Sequence, residues 1–215
     1  MIHPHTEIRF INDKIGYGVV ATKFIPKGTI TWALDKFDRI FTIDQIKTME
    51  PMYQNIMDIY SYRNPEGNHI LCWDNARFVN HSSNSNCITT AYEFEIAVRD
   101  IQPGEELTDD YGYLNVEEPF EVVPEAGTDR TVIYPDDLLN YYHLWDEKLL
   151  EAFKDLENVN QPLQSLLTKQ TVEKARMIAI GKEKMDSILH CYHVNGNGIP
   201  NLERAVRSPH VVYPY

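Results

Sequence analysis

The chain has 215 residues, 43% of them hydrophobic, and a formal net charge of −12. That apolar share supports a packed core and excludes an intrinsically disordered chain, and the length suits one domain with a modest extension. The acidic balance argues against direct nucleic-acid binding, which needs Lys and Arg at phosphates, and fits either a basic partner or a plain solvated acidic face.

Three cysteines, Cys72, Cys87 and Cys191, are odd in number and widely spaced. They spell out neither a disulfide framework nor a Cys-x-x-Cys metal site, so reduced thiols in an intracellular protein, cytoplasmic or nuclear, are expected. Residues 1–10 lack a charged segment followed by an apolar one, and no run reaches the apolar length of a membrane span, so no membrane association is expected.

In chain order, residues 7–12 read as a strand, 13–18 as a turn, 19–22 as a second strand, 26–28 as a turn and 29–34 as a third strand. Residues 42–55 are helical in pattern, with Thr42 as N-cap and Gln45 three residues on. Residues 64–67 form a turn, residues 69–73 and 89–99 read as strands, and 102–105 as the turn that follows. Beyond Pro135 the period changes. Leu138, Tyr142, Trp145, Leu149, Phe153 and Leu156 recur at spacings of three and four, the face of an amphipathic helix whose N-terminus Asp136 and Asp137 favour. Residues 171–192 read as a second helix with Gly181 as its weak point and residues 195–198 as its end. Residues 200–215 read as an irregular tail. The division is a β-rich unit over residues 1–130 and a helical C-terminal extension over 131–215.

Three segments carry chemistry. Gly16-Tyr17-Gly18 lets backbone approach a ligand without Cβ contacts, although such a pair between strands commonly marks a hairpin. Arg77-Phe78-Val79-Asn80-His81-Ser82 sets an amide beside an imidazole, which can bond a ligand or their own turn. Gly104-Glu105-Glu106-Leu107-Thr108-Asp109-Asp110-Tyr111-Gly112-Tyr113 ends on two tyrosines, which can serve a site or cover a core edge.

Taken in this order and at these separations, the three segments resemble the SET-domain methyltransferase family over roughly residues 6–120. The resemblance implies a mainly β fold, a β-clip-like set of short sheets with a knot-like crossing where the Asn-His-Ser block meets the Tyr111 block. It implies S-adenosylmethionine as methyl donor and the side-chain amine of a protein lysine as acceptor. Tyr111 stands at the family's catalytic tyrosine. Gly16, Tyr17 and Gly18 line the cofactor site through backbone groups. Asn80 and His81 hold the cofactor, the Asn side chain at its amino acid end. Tyr60 is assigned to the cofactor and Tyr62 to the substrate channel, with the reverse left open, and Tyr113 is placed in the channel.

The sequence departs from the family after Asn-His-Ser. Ser83-Asn84-Ser85-Asn86 stands where many relatives have Cys-x-Pro-Asn, and no cysteine lies between Cys87 and Cys191. The family's zinc site therefore has no ligands here, and no metal is expected. Residues 114–130 are expected to act as a metal-free closing segment, with Phe120 stacked on the adenine and Trp145 as the runner-up.

Residues 100–129 hold ten acidic side chains and no Lys or Arg. Such a rim would attract a basic protein or peptide, such as a histone tail or a ribosomal protein segment. The C-terminal helices could pack on the core or pair two chains as a homodimer. Two competing functions remain. One is a catalytically inactive SET-fold module that binds a peptide, and the other is a metal enzyme built on His3, His5, His69 or His81.

Overall fold

Turn-forming residues interrupt every apolar run in the first two thirds of the chain, so the strands are short and the sheets small. The computed structural model describes residues 1–194; the expected helix end at 195–198 and the tail at 200–215 lie outside the described residues. Strands β1 (Thr6–Asn12) and β2 (Gly16–Ala21) form an antiparallel hairpin. The Asn12 side chain accepts from the backbone N–H groups of Lys14 and Ile15, both at 2.9 Å, and closes the turn early. The turn expected over residues 13–18 therefore ends at residue 15. Gly16 enters the strand at φ 84°, where the register slips between Phe10 and Asn12, and Tyr17 and Gly18 lie within the ladder.

Strand β3 (Ile30–Ala33) is followed by β4 (Arg39–Phe41), which the sequence pattern did not announce. The helix expected over residues 42–55 is two helices, α1 (Ile43–Lys47) and α2 (Pro51–Tyr60). Thr42 and Gln45 cap α1 reciprocally, as the sequence suggested. Pro51 has no N–H to continue that helix and instead starts the next one at its first position. Strands β5 (Ser61–Arg63) and β6 (His69–Leu71) join β4 in the order β4-β6-β5.

Strand β7 (Asn80–His81) precedes β8 (Cys87–Thr89) and β9 (Phe94–Ala97). The single strand expected over residues 89–99 is in fact a hairpin. Thr90 donates its hydroxyl to Phe94 O at 2.7 Å, and Glu93 at φ 61° reverses the chain. The sheet order is β3-β9-β8. Strand β10 (Thr108–Asp109) runs parallel to β7, and β11 (Phe120–Glu121) pairs with β12 (Val132–Ile133).

Helix α3 (Asp137–Phe153) follows, then α4 (Lys169–Ala179). The second helix, expected to reach residue 192, stops at α4. Gly181 takes φ 70° and bonds Ile178 O at 2.9 Å, so the weak point is a C-terminal cap. A 3-10 turn at Ile188–Cys191 returns the chain to the core. Helices take as large a share of the described residues as strands, so the architecture is mixed rather than mainly β: many short strands in small sheets plus helices. No described helix is long and apolar enough to cross a membrane.

The central sheet separates two cores by strand alternation, with a bulge between Ile30 and Trp32 shifting the faces of β3. Ile30, Ile88, Phe94 and Ile96 face α3, where Leu138, Trp145, Leu149 and Phe153 come from the predicted helical stripe. Burial of each such side chain stabilises by about 1.5–3 kcal/mol. Trp32, Cys87 and Ala97 face the other way, onto Val19, Ile25, Cys72, Val79, Ile101 and Leu107. Gln161 ties the helical part to the sheet: it donates to Gly28 O at 2.7 Å and accepts from Ile30 N at 2.8 Å.

A buried ion triad joins three elements. Arg130, just before β12, forks between Asp110 and Asp137, the latter at 2.5 Å. The guanidinium also lies over the rings of Tyr141 at 4.8 Å and Trp145 at 5.8 Å. Arg130→Leu should strand two buried carboxylates and cost about 3–5 kcal/mol. That corresponds to roughly 10 °C in melting temperature for a chain of this size. Arg130→Lys should recover only part of it, since one ammonium lacks the planar fork. Calorimetric melting of the three proteins checks this ordering.

Candidate active site

The parallel pairing of β7 with β10 sets Asn80–His81 beside Thr108–Asp109, and the chain leaves that pair directly into Tyr111. Three bonds then fix Tyr111. Its backbone N–H donates to His81 Nδ1 at 3.1 Å, and its hydroxyl donates to Val79 O at 2.7 Å. Asp110 caps the 3-10 turn Tyr111–Tyr113 by accepting from Gly112 N at 3.0 Å. Burial, then the Asp109 and Glu106 carboxylates, push the Tyr111 phenol above its ordinary value, so it remains neutral.

His81 must keep Nδ1 unprotonated to accept from Tyr111, which assigns its proton to Nε2, facing Ser83 Oγ at 3.2 Å. Burial lowers its pKa against the opposing pull of Asp110, and Arg130 lowers it further. The imidazole is therefore neutral at pH 7.

Tyr60, Tyr62, Tyr111 and Phe120 line one cavity of about 590 Å³. The rings stand edge to face: Tyr62 against Trp32 at 5.9 Å, and Phe120 against Tyr111 at 6.2 Å and His81 at 5.8 Å. Burial raises the Tyr62 pKa.

Asn80 and His81 flank this cavity rather than line it. Asn80 Nδ2 donates to Tyr17 O at 3.0 Å and Glu106 Oε1 at 2.6 Å, which uses both of its protons. Gly18 makes that arrangement fit, because a Cβ there would lie 2.1 Å from Glu106 Oε1 and 2.8 Å from Asn80 Nδ2. Tyr17 contributes its carbonyl, while its ring is 57% exposed and packs on Phe10. Gly16 supplies the left-handed entry to the strand, with open space where a Cβ would be.

Tyr113 is not brought into the cavity. Its ring is 1% exposed and packs on Trp145 at 5.3 Å, and its hydroxyl meets Asp109 Oδ1 at 2.9 Å and Cys87 O at 3.0 Å. The channel position expected for it is replaced by a strut in the core. A 3-10 turn advances about 120° per residue, so two residues on from Tyr111 the side chain leaves on a different side. Trp145, the alternative stacking residue, is likewise a core side chain at 4% exposure. Sequence reasoning missed Trp32, Glu95 and Asp109, which also line the cavity. Glu95 left a trace: a carboxylate between Phe94 and Ile96, inside a strongly apolar strand.

Residues 16–112 match the family model described as SET domain. That stretch, which runs from Gly16 to Gly112 and includes Tyr111 and the Asn80–His81 pair, is similar to SET domains. SET domains are typically protein lysine methyltransferases. No curated protein matches the chain.

Because the folded-state value of His81 is lowered, the unfolded chain takes up its proton first as pH falls. Stability is therefore lost below about pH 6.5, down towards the folded value. Melting temperatures between pH 7.5 and 5 should fall less steeply for His81→Asn, whose amide oxygen can still accept from Tyr111 N. His3, lowered to about 4 mainly by burial, and His69, also lowered, contribute the same sign in both proteins. Equal slopes would remove His81 from the pH response.

Proposed function

We propose that this protein transfers a methyl group from S-adenosylmethionine to the side-chain amine of lysine in a basic protein or peptide. The observation that carries the reading is Tyr111. It is a neutral phenol bonded to Val79 O, in an aromatic cavity shared with Tyr60 and Tyr62 and next to Asn80–His81.

The residues beside the cavity suit the cofactor. Asn80 spends both amide protons on Tyr17 O and Glu106, so its Oδ1 remains as an acceptor, with the Glu106 carboxylate next to it. An ammonium such as the one at the amino acid end of S-adenosylmethionine needs acceptors of this kind. At the other side Phe120 and His81 offer aromatic surface for a purine. When bound, the cofactor would supply a methyl group activated by the sulfonium charge.

The remaining work falls to the chain. A free lysine amine has a pKa near ~10.4 and is protonated at pH 7. An aromatic cavity disfavours the ammonium and lowers that value. Tyr111 donates its proton to Val79 O, so its oxygen lone pairs face outwards as acceptors for amine N–H bonds. Bonds accepted there orient the nitrogen lone pair away from the tyrosine and position it for in-line attack.

Two further observations support the family reading. The parallel pairing of Asn80–His81 with Thr108–Asp109 is the meeting of blocks that a knot-like crossing requires. In the segment proposed to close the site without metal, Glu125 accepts from Ser82 Oγ at 2.5 Å and from Ser83 N and Asn84 N, both at 3.3 Å. Those bonds hold the segment to the stretch where relatives carry a cysteine.

Tyr111→Phe should retain cofactor binding by calorimetry and lose at least ~100-fold in methyl transfer, in line with loss of an oriented polar contact made at the reacting centre. Radiolabelled transfer to a basic protein mixture measures it, and unchanged turnover would dismiss Tyr111 from the chemistry. Asn80→Ala should weaken cofactor binding about tenfold or more, as expected for one lost hydrogen bond to a charged group.

A further inference from the structure

Strand β9 alternates. Phe94 and Ile96 enter the core under α3, so Glu95 between them faces the opposite side, where it pairs across the ladder with Trp32. Asp109, at the end of β10, lines the same cavity as Glu95, Tyr62 and Tyr111. The Glu95 and Asp109 carboxyl groups share that cavity wall and lie close enough for each to act on the other's ionisation. Two carboxylates at that separation cannot both ionise, so the pair shares one proton. Burial first, then the charge of Asp109, raise the Glu95 pKa well above its ordinary value. Burial pushes Asp109 up to about 7 against the bond from Tyr113.

Among the described residues no Lys, Arg or His forms an ion pair with either carboxyl. Trp32, 4% exposed and lining the cavity, has an indole N–H with no acceptor in the protein. Asp109 is buried and Glu95 half-buried, and an acid pair without a cation, walled by aromatic rings, suits a positively charged occupant; the Trp32 N–H needs an acceptor, which an ammonium is not and a neutral amine is.

We propose that the Glu95–Asp109 pair is the receptor for a primary alkylammonium entering this cavity, and the acceptor of its proton. Its use in catalysis rests on the methyl-transfer reading above. The step balances. R–NH3⁺ enters opposite a pair carrying one proton and one negative charge. The N–H bonding electrons stay on nitrogen, the proton moves to the Asp109 carboxylate, and a neutral amine faces a neutral, doubly protonated pair. After the product leaves, one proton returns to solvent.

The groups facing the pair do not compete for that proton near neutral pH. Burial raises Tyr62, Tyr111 and Tyr113, and likewise the thiols of Cys72 and Cys87, so all five stay protonated. Asp110 is bound to Arg130. The Met1 ammonium acts on Glu95 only through its charge and is itself held by Asp35 at 3.2 Å.

The test uses the whole protein with n-butylamine as probe, without cofactor, by calorimetry in two buffers of different ionisation enthalpy at pH 8, where the pair carries one proton. The wild-type protein should bind the amine and release almost no proton to buffer, because the proton passes to the pair. A Glu95→Gln, Asp109→Asn double variant should bind about tenfold more weakly or worse and release about one proton per amine bound. Glu95→Gln alone, which keeps the side chain's size and removes its charge, provides the same reading if the double variant does not fold. In methyl transfer, the variant's rate should climb about tenfold per pH unit from pH 6 to 9, while the wild-type rate levels off above pH about 7. Equal affinity and equal proton release in wild type and variants would overturn the proposal. Pair-dependent amine binding in a protein that takes up no S-adenosylmethionine would uphold the receptor and defeat the methyl-transfer reading instead.

Discussion

One guanidinium holds the aromatic cavity to the helical half of the molecule. Arg130 reaches Asp110, the residue that caps the turn bearing Tyr111, and Asp137, the first residue of α3. Asp137 also accepts from Tyr134 N at 3.1 Å and so fixes the approach of the chain to that helix. Such a triad is stable only when complete, because each buried charge depends on the others for its solvation. Gly112 is the residue that lets it form: a Cβ there would stand 2.6 Å from Arg130 Nη2. A glycine directly after the tyrosine is thus a matter of room for the arginine, not of turn geometry. The hairpin that delivers Arg130 also presents Phe120, so loss of the triad would loosen Phe120, the Tyr111 turn and the start of α3 together.

The same arrangement explains how the segment around β11 and β12 stays in place with hydrogen bonds and ion pairs of its own. Glu125 grips Ser82, Ser83 and Asn84 at one end of the hairpin, and Arg130 locks the other. Each of these partners is within the chain's ordinary repertoire. Their joint effect is to bring residues 120–133 against the β7–β10 pair.

The parts of the site legible in the sequence are those in which residue type acts within a few positions. Asn80–His81 and Tyr111 were recognisable because their blocks are contiguous, and Thr42 with Gln45 because a capping box spans three residues. The α3 stripe was legible for the same reason, since its period repeats every turn. Tyr113 was misplaced because its direction depends on the 3-10 turn, which Asp110 and Arg130 impose from outside. The reversal at Glu93 was hidden by the β-branched and aromatic residues around it, which favour strand in any register. Glu95 and Asp109 are forty-odd ångströms apart as extended chain but meet across two strands, and no local pattern announces such a meeting.

The acidic run over residues 100–129 reads differently once its partners are known. Asp109 and Asp110 are buried, Glu106 is bonded to Asn80, Glu105 to Arg99 and Asn86, and Glu125 to the Ser82 turn. Two of the ten are therefore interior and three more are engaged by partners within the protein, so the run adds less to the field outside than its count suggests. What remains exposed near the cavity is Glu117 and Glu118, which line it, and Glu117 already shares its charge with Arg63 at 2.9 Å. Charges on a solvated rim act over about a Debye length, ~8 Å at physiological salt. The field at the cavity mouth is thus set by a few carboxylates there rather than by the net charge of the chain. Inside the cavity desolvation makes each charge count for more than any on the rim.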